Sequence, residues 1–265
     1  MSQTIGSGLA GDTCALALQG TNIIVAGASS NGNIVLYRYD NTGAQDMTFG
    51  TSGVASTNLV FPAMSPAIAI QPADSKIIVA TGKGSFDPTN PKPVDQVVLR
   101  YTADGAPDAT FGTGGIVTTD INFLGNFGNA VLVQPDGNIL VGGHANVNFQ
   151  TDASDISLVR YDTNGNPDAT FGNNGIVITD LGGFDNAFSV ALQADSKIVV
   201  SGNTGAAGFT QTAVLRYNTN GSPDTTFGPT LKGNVIIQLA GPSNIASGNA
   251  VVVQSDGNIV VAGYD

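Results

Sequence analysis

The sequence has no tryptophan and no glutamate, and it has a single cysteine, Cys14, and a single histidine, His144. One cysteine excludes a disulfide scaffold and any cysteine-based zinc site. One histidine excludes metal sites built from several histidines and leaves one candidate base for a Ser-His-Asp arrangement. Helices favour Glu, Lys, Arg and Leu, so a chain without Glu and rich in Gly, Asn, Thr and Ala predicts almost no helix.

Basic residues are also scarce. Nine Lys and Arg stand against 20 acidic residues, all of them Asp, and the net charge is −11. This excludes a sequence-blind nucleic-acid binder, which needs a basic surface to displace counterions. No apolar run reaches the roughly 20 residues that span a bilayer, so we expect no membrane insertion.

The first residues, Met1 to Gly6, do not read as a secretory signal. Three explanations are open: the protein stays inside the cell, it has lost a leader, or it is a piece of something longer. The composition nevertheless favours an extracellular or cell-surface location.

Internal repeats are the strongest pattern in the chain. The motif Arg-Tyr-x3-Gly-x2-Asp-x-Thr-Phe-Gly recurs about every 60 residues, and its arginines are all the arginines of the chain: Arg38, Arg100, Arg160 and Arg216. A second segment consists of an Ala-rich apolar stretch that ends in Gln, a turn, and a β-branched run that ends in Gly. Its glutamines are Gln19, Gln71, Gln134, Gln193 and Gln254.

Each repeat contains four short strand candidates, here called A to D, separated by Gly, Asp and Asn turns. Examples are residues 130–134, 197–201, 97–101 and 175–179. Strands A and B are apolar on both faces and are expected to be buried on both sides, whereas D is more polar, as an outer strand should be. Four antiparallel strands per repeat are typical of a β-propeller; a solenoid is the alternative, although its units are usually shorter.

Two segments resemble the delta-60 repeat family: Leu158 to Gly172, which contains the Arg-Tyr motif, and Gln254 to Gly263, which reads Gln-x-Asp-Gly-Asn-Ile-Val-Val-Ala-Gly. The resemblance covers residues 12–265 and implies a bacterial β-propeller with no established general activity. The first copy departs from the pattern, because Gln45 stands where the other copies have Pro107, Pro167 and Pro223.

We therefore predict an all-β protein, a single β-propeller domain over residues 1–265 with five blades of up to four antiparallel strands. The predicted blades are 12–58, 64–120, 128–180, 187–239, and 247–265 together with 1–8. The last blade has only strands A and B, and we expect the N-terminal segment to close it. Alternatively, the chain is a fragment of a longer array, or a second molecule completes the blade, because an unpaired edge invites self-association.

The repeated Arg and Asp predict one ion pair per blade, since an arginine can bind a carboxylate bidentately. We interpret these pairs as structural staples, because a site for a single ligand would not need four copies; a ring of ligand-binding arginines is the alternative. The pairs are Arg38 with Asp46, Arg100 with Asp108, Arg160 with Asp168, and Arg216 with Asp224.

Alternating oxygen side chains at Asp162, Asn164, Asn166 and Asp168 resemble a calcium loop. The glycine, however, stands at the fourth place and no bidentate Glu follows. Asx-Gly turns explain the spacing without a metal, so we predict no cofactor, with calcium as the alternative.

The connections between B and C and between D and the next A should lie at one end of the propeller, and binding residues often lie on such loops. We placed the B–C loops at about 82–95, 143–155 and 202–211 and the D–A loops at about 58–64, 120–128, 180–187 and 239–248. The predicted ligand-binding residues on this face are Phe86, Phe123, His144, Phe149 and Phe209. The alternative is a purely structural role, in which the phenylalanines cover the ends of the core and His144 is an ordinary loop residue.

The sequence thus favours a non-catalytic binding or scaffold module that recognises a protein or a glycan through this face. The alternative is a glycoside-active enzyme, a hydrolase or lyase, with two carboxylates at the mouth of the channel; its candidates are Asp87, Asp152 and Asp185. A purely structural array unit is a third possibility, because fold class alone does not decide function.

Overall fold

The computed structural model describes residues 9–29, 32–59, 66–85, 92–121, 125–148, 153–206, 208–238 and 245–264. Every regular element in these ranges is a β-strand. None of the described residues forms a helix that is long and apolar enough to cross a membrane. Contacts between Cα atoms divide the chain into two compact units, Met1–Thr119 and Asp120–Asp265.

The first unit holds two antiparallel sheets whose four strands pair in chain order, A to D. The first sheet consists of β1 (Leu9–Gln19), β2 (Asn22–Ser29), β3 (Ile34–Tyr39) and β4 (Val54–Thr57). The second consists of β5 (Ala67–Ile70), β6 (Ile77–Ser85), β7 (Lys92–Tyr101) and β8 (Ile116–Thr119). Ile24, Leu36, Ile77 and Leu99 form a common buried core that the motif residue Phe49 joins.

The second unit repeats this arrangement twice and adds a pair of strands. One sheet consists of β9 (Gly125–Val133), β10 (Ile139–Asn148), β11 (Ala153–Tyr161) and β12 (Ile176–Thr179). The next consists of β13 (Asn186–Leu192), β14 (Ile198–Ala206), β15 (Phe209–Tyr217) and β16 (Asn234–Ile237), and the pair is β17 (Ser247–Val253) with β18 (Ile259–Tyr264). Leu140, Leu158, Val200 and Leu215 belong to one buried cluster together with Phe171.

The all-β fold and the four-stranded repeats agree with the sequence prediction, but strand A is less buried than predicted. Leu16 and Leu18 of β1 are 63% and 71% exposed, and Val190 to Leu192 of β13 are half-buried. Both strands form the edge of their sheet, whereas the C strands lie between B and D. The side chains from Val94 to Tyr101 of β7 and those of β11 are accordingly almost all buried.

The predicted loop positions also need correction, because strands B and C continue further than the sequence indicated. Strand β10 runs to Asn148 and β11 starts at Ala153, so most of the predicted loop 143–155 is a β-hairpin. The predicted loop 202–211 likewise lies mostly in strands, because β14 runs to Ala206 and β15 starts at Phe209. The error came from reading the glycine after each β-branched run as a strand end. At Gly143 the partner strand β9 forms a bulge, and a Cβ would lie 1.7 Å from the carbonyl oxygen of Phe127, so only glycine fits inside the strand.

The predicted closure of the last blade by residues 1–8 lies outside the described residues.

Candidate functional site

The four Arg-Tyr motifs adopt the same local geometry. In each, the arginine Nε donates a hydrogen bond of 2.7–2.8 Å to the aspartate eight residues later. The same guanidinium lies over the ring of the motif phenylalanine, with its carbon 4.5–4.8 Å from the ring centroid. The phenylalanines are Phe49, Phe111, Phe171 and Phe227.

Within the second unit, the motif that begins at Arg160 is bound by the turn of the following motif. Arg160 Nη1 donates to the carbonyl oxygen of Thr219 (2.6 Å), and the backbone N–H of Gly172 donates to that of Asn220 (2.9 Å). Gly221 lies against the ring of Phe171, which is fully buried. A side chain at position 221 is excluded, because φ is +84° and a Cβ would lie 2.9 Å from the Phe171 ring.

The first unit has the same contacts between its two sheets. Arg38 Nη1 donates to the carbonyl oxygen of Ala103 (2.9 Å), Gly50 N–H donates to that of Asp104 (2.8 Å), and Gly105 lies against the Phe49 ring. We call this arrangement a clasp: the Arg, Phe and final Gly of one motif are bound by the four-residue turn of the next motif, which is Thr102 to Gly105 in the first unit and Asn218 to Gly221 in the second.

The motif carboxylates are electrostatically compensated. Hydrogen bonds from Thr48 and then from Arg38 lower the pKa of Asp46 to about 2. Burial of Asp168 opposes ionisation, but hydrogen bonds from Thr170 and the charge of Arg160 outweigh it and lower the pKa of that carboxyl. Lys76 Nζ approaches Asp108 to 3.1 Å, and Lys197 Nζ approaches Asp224 to 3.0 Å. These acids are therefore ionised and already paired at neutral pH.

Two of the four residues of the predicted calcium loop, Asp162 and Asp168, accept local hydrogen bonds with their carboxylate oxygens. Asp162 Oδ1 accepts hydrogen bonds from the backbone N–H groups of Asn164 (2.8 Å) and Asn166 (2.9 Å), and its Oδ2 accepts from Asn166 Nδ2 (3.0 Å). Asp168 is bound to Arg160 and Thr170. This is the geometry of an Asx turn.

A second set of acids meets at the opposite end of the second unit, where strand C begins and strand D ends. One carboxylate oxygen from each of Asp155, Asp180 and Asp185 lies within 4.8 Å of the other two. We call this end of the unit the loop end. Asp155 is at the start of β11, Asp180 follows β12, and Asp185 precedes β13. Oxygen ligands of this type suit a hard cation such as Ca²⁺.

Backbone pairing positions this cluster. The turn at Gly182 and Gly183 brings the chain back beside β11, where Ser154 N–H donates to the Gly183 carbonyl (3.1 Å) and Asp185 N–H donates to the Ser154 carbonyl (2.8 Å). The side chain of Asp185 is buried, and it accepts hydrogen bonds of 2.5 Å from Leu181 N–H and from the Thr204 hydroxyl.

The electrostatics of the loop end are the reverse of those at the motifs. Burial, followed by the charges of Asp180 and Asp185, raises the pKa of Asp155. Burial also raises the pKa of Asp185, although the Thr204 and Leu181 hydrogen bonds oppose this. Among the described residues, none of the three carboxylates forms a salt bridge.

His144 lies in β10 rather than in a loop, and it is half-buried. Its ring stacks on Phe127, with the centroids 4.4 Å apart, and its Nδ1 lies 3.2 Å from Asn129 Nδ2. Asn129 Nδ2 also donates to the Ala187 carbonyl at 2.9 Å. Burial lowers the pKa of His144 to about 4, so the ring is neutral at pH 7.

Only some of the predicted site residues are among the residues that the structure describes. Asp185 lies in the carboxylate cluster, and Phe209 is the first residue of β15 and is 40% exposed. The remaining candidates lie outside the described residues: Phe86, Asp87, Phe123, Phe149 and Asp152. The site list predicted from sequence missed Asp155 and Asp180. The signal that could have found them was their position at strand ends on the predicted loop face.

Three segments of the chain, residues 73–111, 134–171 and 193–227, match the model of a family described as a domain of unknown function (DUF5122) beta-propeller. With its repeated four-stranded antiparallel sheets, the protein is a β-propeller repeat protein. The predicted resemblance is confirmed, and these segments are repeats of the DUF5122, or delta-60, family.

Comparison with curated proteins finds no match for this sequence. Among solved structures, the chain resembles a thermostable family-43 glycoside hydrolase with 10% identity, 94% of this chain and 82% of that chain covered, and a TM-score of 0.45. It also resembles a GH43 endo-arabinanase from Bacillus licheniformis, with 14% identity, coverage of 97% and 91%, and a TM-score of 0.47. At these values neither likeness assigns an activity or a substrate to this chain.

Proposed function

We propose that this protein is a non-catalytic binding module and that the loop end of its second unit, built around Asp155, Asp180 and Asp185, recognises a protein or a glycan. The observation that supports this most directly is the convergence of three carboxylates without a basic partner among the described residues. Carboxylates without a basic partner can pair with the ammonium or guanidinium groups of a protein, or accept hydrogen bonds from the hydroxyls of a sugar.

The motifs of Arg38 and Arg160 offer no comparable surface. Each arginine is bound to its own aspartate and lies on its own phenylalanine, and the described clasps bury Phe49 and Phe171 completely. A ring of ligand-binding arginines is therefore a poor alternative, because binding a ligand would first require breaking these contacts. The loop end is the better candidate for the binding surface, because Asp180 and Phe209 are exposed there.

The test is binding of the labelled full chain to a printed glycan array and to a peptide array of graded charge. The informative variant is Asp155→Asn combined with Asp180→Asn. Its matched control is Asp136→Asn with Asp256→Asn, which removes the same charge from two exposed turns between strands A and B. We expect the cluster variant to lose at least about tenfold in affinity, which corresponds to about 1.4 kcal/mol, while the control binds like the wild type. Equal losses in both variants would show a general charge effect and contradict the proposed site.

The enzyme alternative was predicted at Asp87, Asp152 and Asp185, and of these the described residues place Asp185 in the cluster; retaining glycosidases hold two carboxyl groups about 5–5.5 Å apart. Burial of Asp185 and its two short hydrogen bonds argue against it, since a nucleophile or acid must reach the substrate. Hydrolysis of aryl glycosides by the wild type, abolished in Asp185→Asn and retained in the Asp136→Asn and Asp256→Asn control, would replace the binding proposal by this alternative.

A further inference from the structure

Two buried polar side chains near the loop end have no hydrogen-bond partner among the described residues. Asn126 of β9 is 0% exposed, and both its Oδ1 and its Nδ2 are unpaired there. Ser157 of β11 is also 0% exposed, and its hydroxyl is unpaired in the same part of the chain. Buried polar groups are nearly always hydrogen-bonded in folded proteins, so these atoms are available to a bound ion, water or ligand.

The strand register places Asn126 on the same face of the sheet as the carboxylate cluster. Ala145 of β10 lies directly opposite Asn126 on one side and directly opposite Asp155 on the other, so the three side chains form a row. The Cβ atoms of opposite residues are about 5 Å apart, so those of Asn126 and Asp155 are about 10 Å apart. Ala145 is the only side chain of the row between them. The amide and the carboxylate therefore have room for one ion or water between them.

Asp155 has the other two acids on its outer side. Asp180 lies opposite it where the pairing of β11 with β12 ends, and Asp185 lies beside it through the parallel bridge of the preceding residues. One carboxylate oxygen from each acid lies within 4.8 Å of the other two. Ca²⁺ binds oxygen atoms at about 2.3–2.6 Å, so two ligands of one ion are at most about 5 Å apart. Three oxygens at this spacing can share a single ion.

We propose that the loop end of the second unit binds one Ca²⁺ ion. Asp155, Asp180 and Asp185 are its carboxylate ligands, and Asn126 supplies a further oxygen, directly or through a water. Ca²⁺ takes six to eight oxygen ligands, among which carboxylates, Asn carbonyls and waters are common. The cation offsets three like charges that have no basic partner among the described residues, and it gives the buried amide oxygen a partner. This site goes beyond the proposed recognition of a protein or a glycan, because the cation binds without either partner.

The experiment is isothermal titration calorimetry of the full chain with CaCl₂, after divalent cations have been removed with EDTA and the EDTA has been dialysed away. Asp180→Asn removes one ligand, and because Asp180 is exposed, this variant keeps the fold. Asp136→Asn is the matched control, because it removes the same charge from an exposed turn between β9 and β10. Asn126→Ala tests the buried amide. If Asn126→Ala does not unfold cooperatively in EDTA, the comparison of Asp180→Asn with Asp136→Asn decides alone.

We expect the wild-type chain to bind one Ca²⁺ ion with a Kd below about 1 mM, and Mg²⁺ at least about tenfold more weakly, because Mg²⁺ dehydrates reluctantly. Asp180→Asn should weaken Ca²⁺ binding at least tenfold and Asn126→Ala at least threefold, whereas Asp136→Asn should change it less than twofold. Asp155→Asn should stabilise the protein in EDTA, where it relieves only repulsion, and lose this gain in saturating Ca²⁺, where it removes a ligand.

The absence of Ca²⁺ binding up to about 10 mM, far above the range of calcium sites in proteins, would overturn the proposal. Equal weakening by Asp180→Asn and Asp136→Asn would also overturn it, because it would show a general charge effect. Binding of the wild type to a glycan or a peptide without any binding of Ca²⁺ would overturn the cation site and leave the proposed recognition intact.

Discussion

Two clasps in the second unit have the same residues but different surroundings. Phe171 and Arg160 are covered by the next turn, whereas Phe227 and Arg216 border a groove. The bond between arginine and aspartate and the stacking of arginine on phenylalanine are the same in both. Two sets of contacts thus stabilise the motif. Each repeat forms the local set by itself, and the neighbouring repeat buries the phenylalanine and the arginine. This is the nearest-neighbour behaviour expected of repeat proteins.

The two clasps should differ most in the free energy of unfolding that is lost when their phenylalanine rings are removed. Phe171→Ala should destabilise the protein by about 3–5 kcal/mol, because it empties a fully buried site. Phe227→Ala should cost less, about 1–2 kcal/mol, because that ring is only partly buried. Urea unfolding of both variants measures the two values. Equal costs would mean that the groove is filled in solution.

A second comparison uses two glycines at the same place in the motif. Gly221 and Gly43 both have φ of +84°, but a Cβ at 221 would meet the Phe171 ring while one at 43 has nothing within 4 Å. Gly221→Ala should therefore cost about 2–4 kcal/mol, of which about 1 kcal/mol is the backbone term. Gly43→Ala should cost only that backbone term, about 1 kcal/mol. Similar free energies of unfolding for the two variants would contradict the clasp.

The bond between arginine and aspartate should contribute a similar free energy of unfolding in the two clasps. Asp168→Asn and Asp224→Asn each break a charge-assisted bond to arginine and should each cost about 2 kcal/mol at pH 7. Both carboxyls have a lowered pKa, so this stability is present above about pH 4, the ordinary pKa of Asp, and is lost as the pH falls further. In an acid titration, the difference in stability between each variant and the wild type should shrink steadily as the pH falls below about 4. Asp224 also pairs with Lys197 at 3.0 Å, so a somewhat larger loss is expected for Asp224→Asn, whereas a larger loss for Asp168→Asn would show that the neighbouring turn also strengthens the ion pair.

The stability contributed by the loop end should change with pH in the opposite direction to that contributed by the motif aspartates, and this effect should be the smallest. The pKa of Asp155 is raised, so the folded state binds its proton more tightly and this site loses stability as the pH rises above about 4. Asp155→Asn should therefore stabilise the protein at pH 7 by under about 1 kcal/mol and have no effect near pH 3. Gln211, five residues before Arg216 as Asp155 is before Arg160, shows that a neutral side chain is accepted at this place. Destabilisation at pH 7 would mean that the carboxylate is held by a cation.

Much of this architecture was readable from the sequence because the repeats are so regular. The spacing of Arg38 and Asp46 predicted an ion pair in every repeat, and the β-branched runs predicted the strands of each sheet. The strand ends were misplaced because a glycine opposite a bulge looks the same in sequence as a glycine in a turn. His144 was consequently expected in a loop, although it stacks on Phe127 within a sheet.

By itself, the sequence determined the β-propeller class, the repeat length and the pairing within each motif, because these depend on residues close together in the chain. Only the tertiary structure showed that Asp155, Asp180 and Asp185 converge, because they come from three segments brought together by the turn at Gly182 and Gly183. Only the tertiary structure separated the closed clasp at Phe171 from the open one at Phe227. The burial of a side chain depends on what packs against it, so identical motifs differ when, within the described residues, a neighbouring turn covers only one of them.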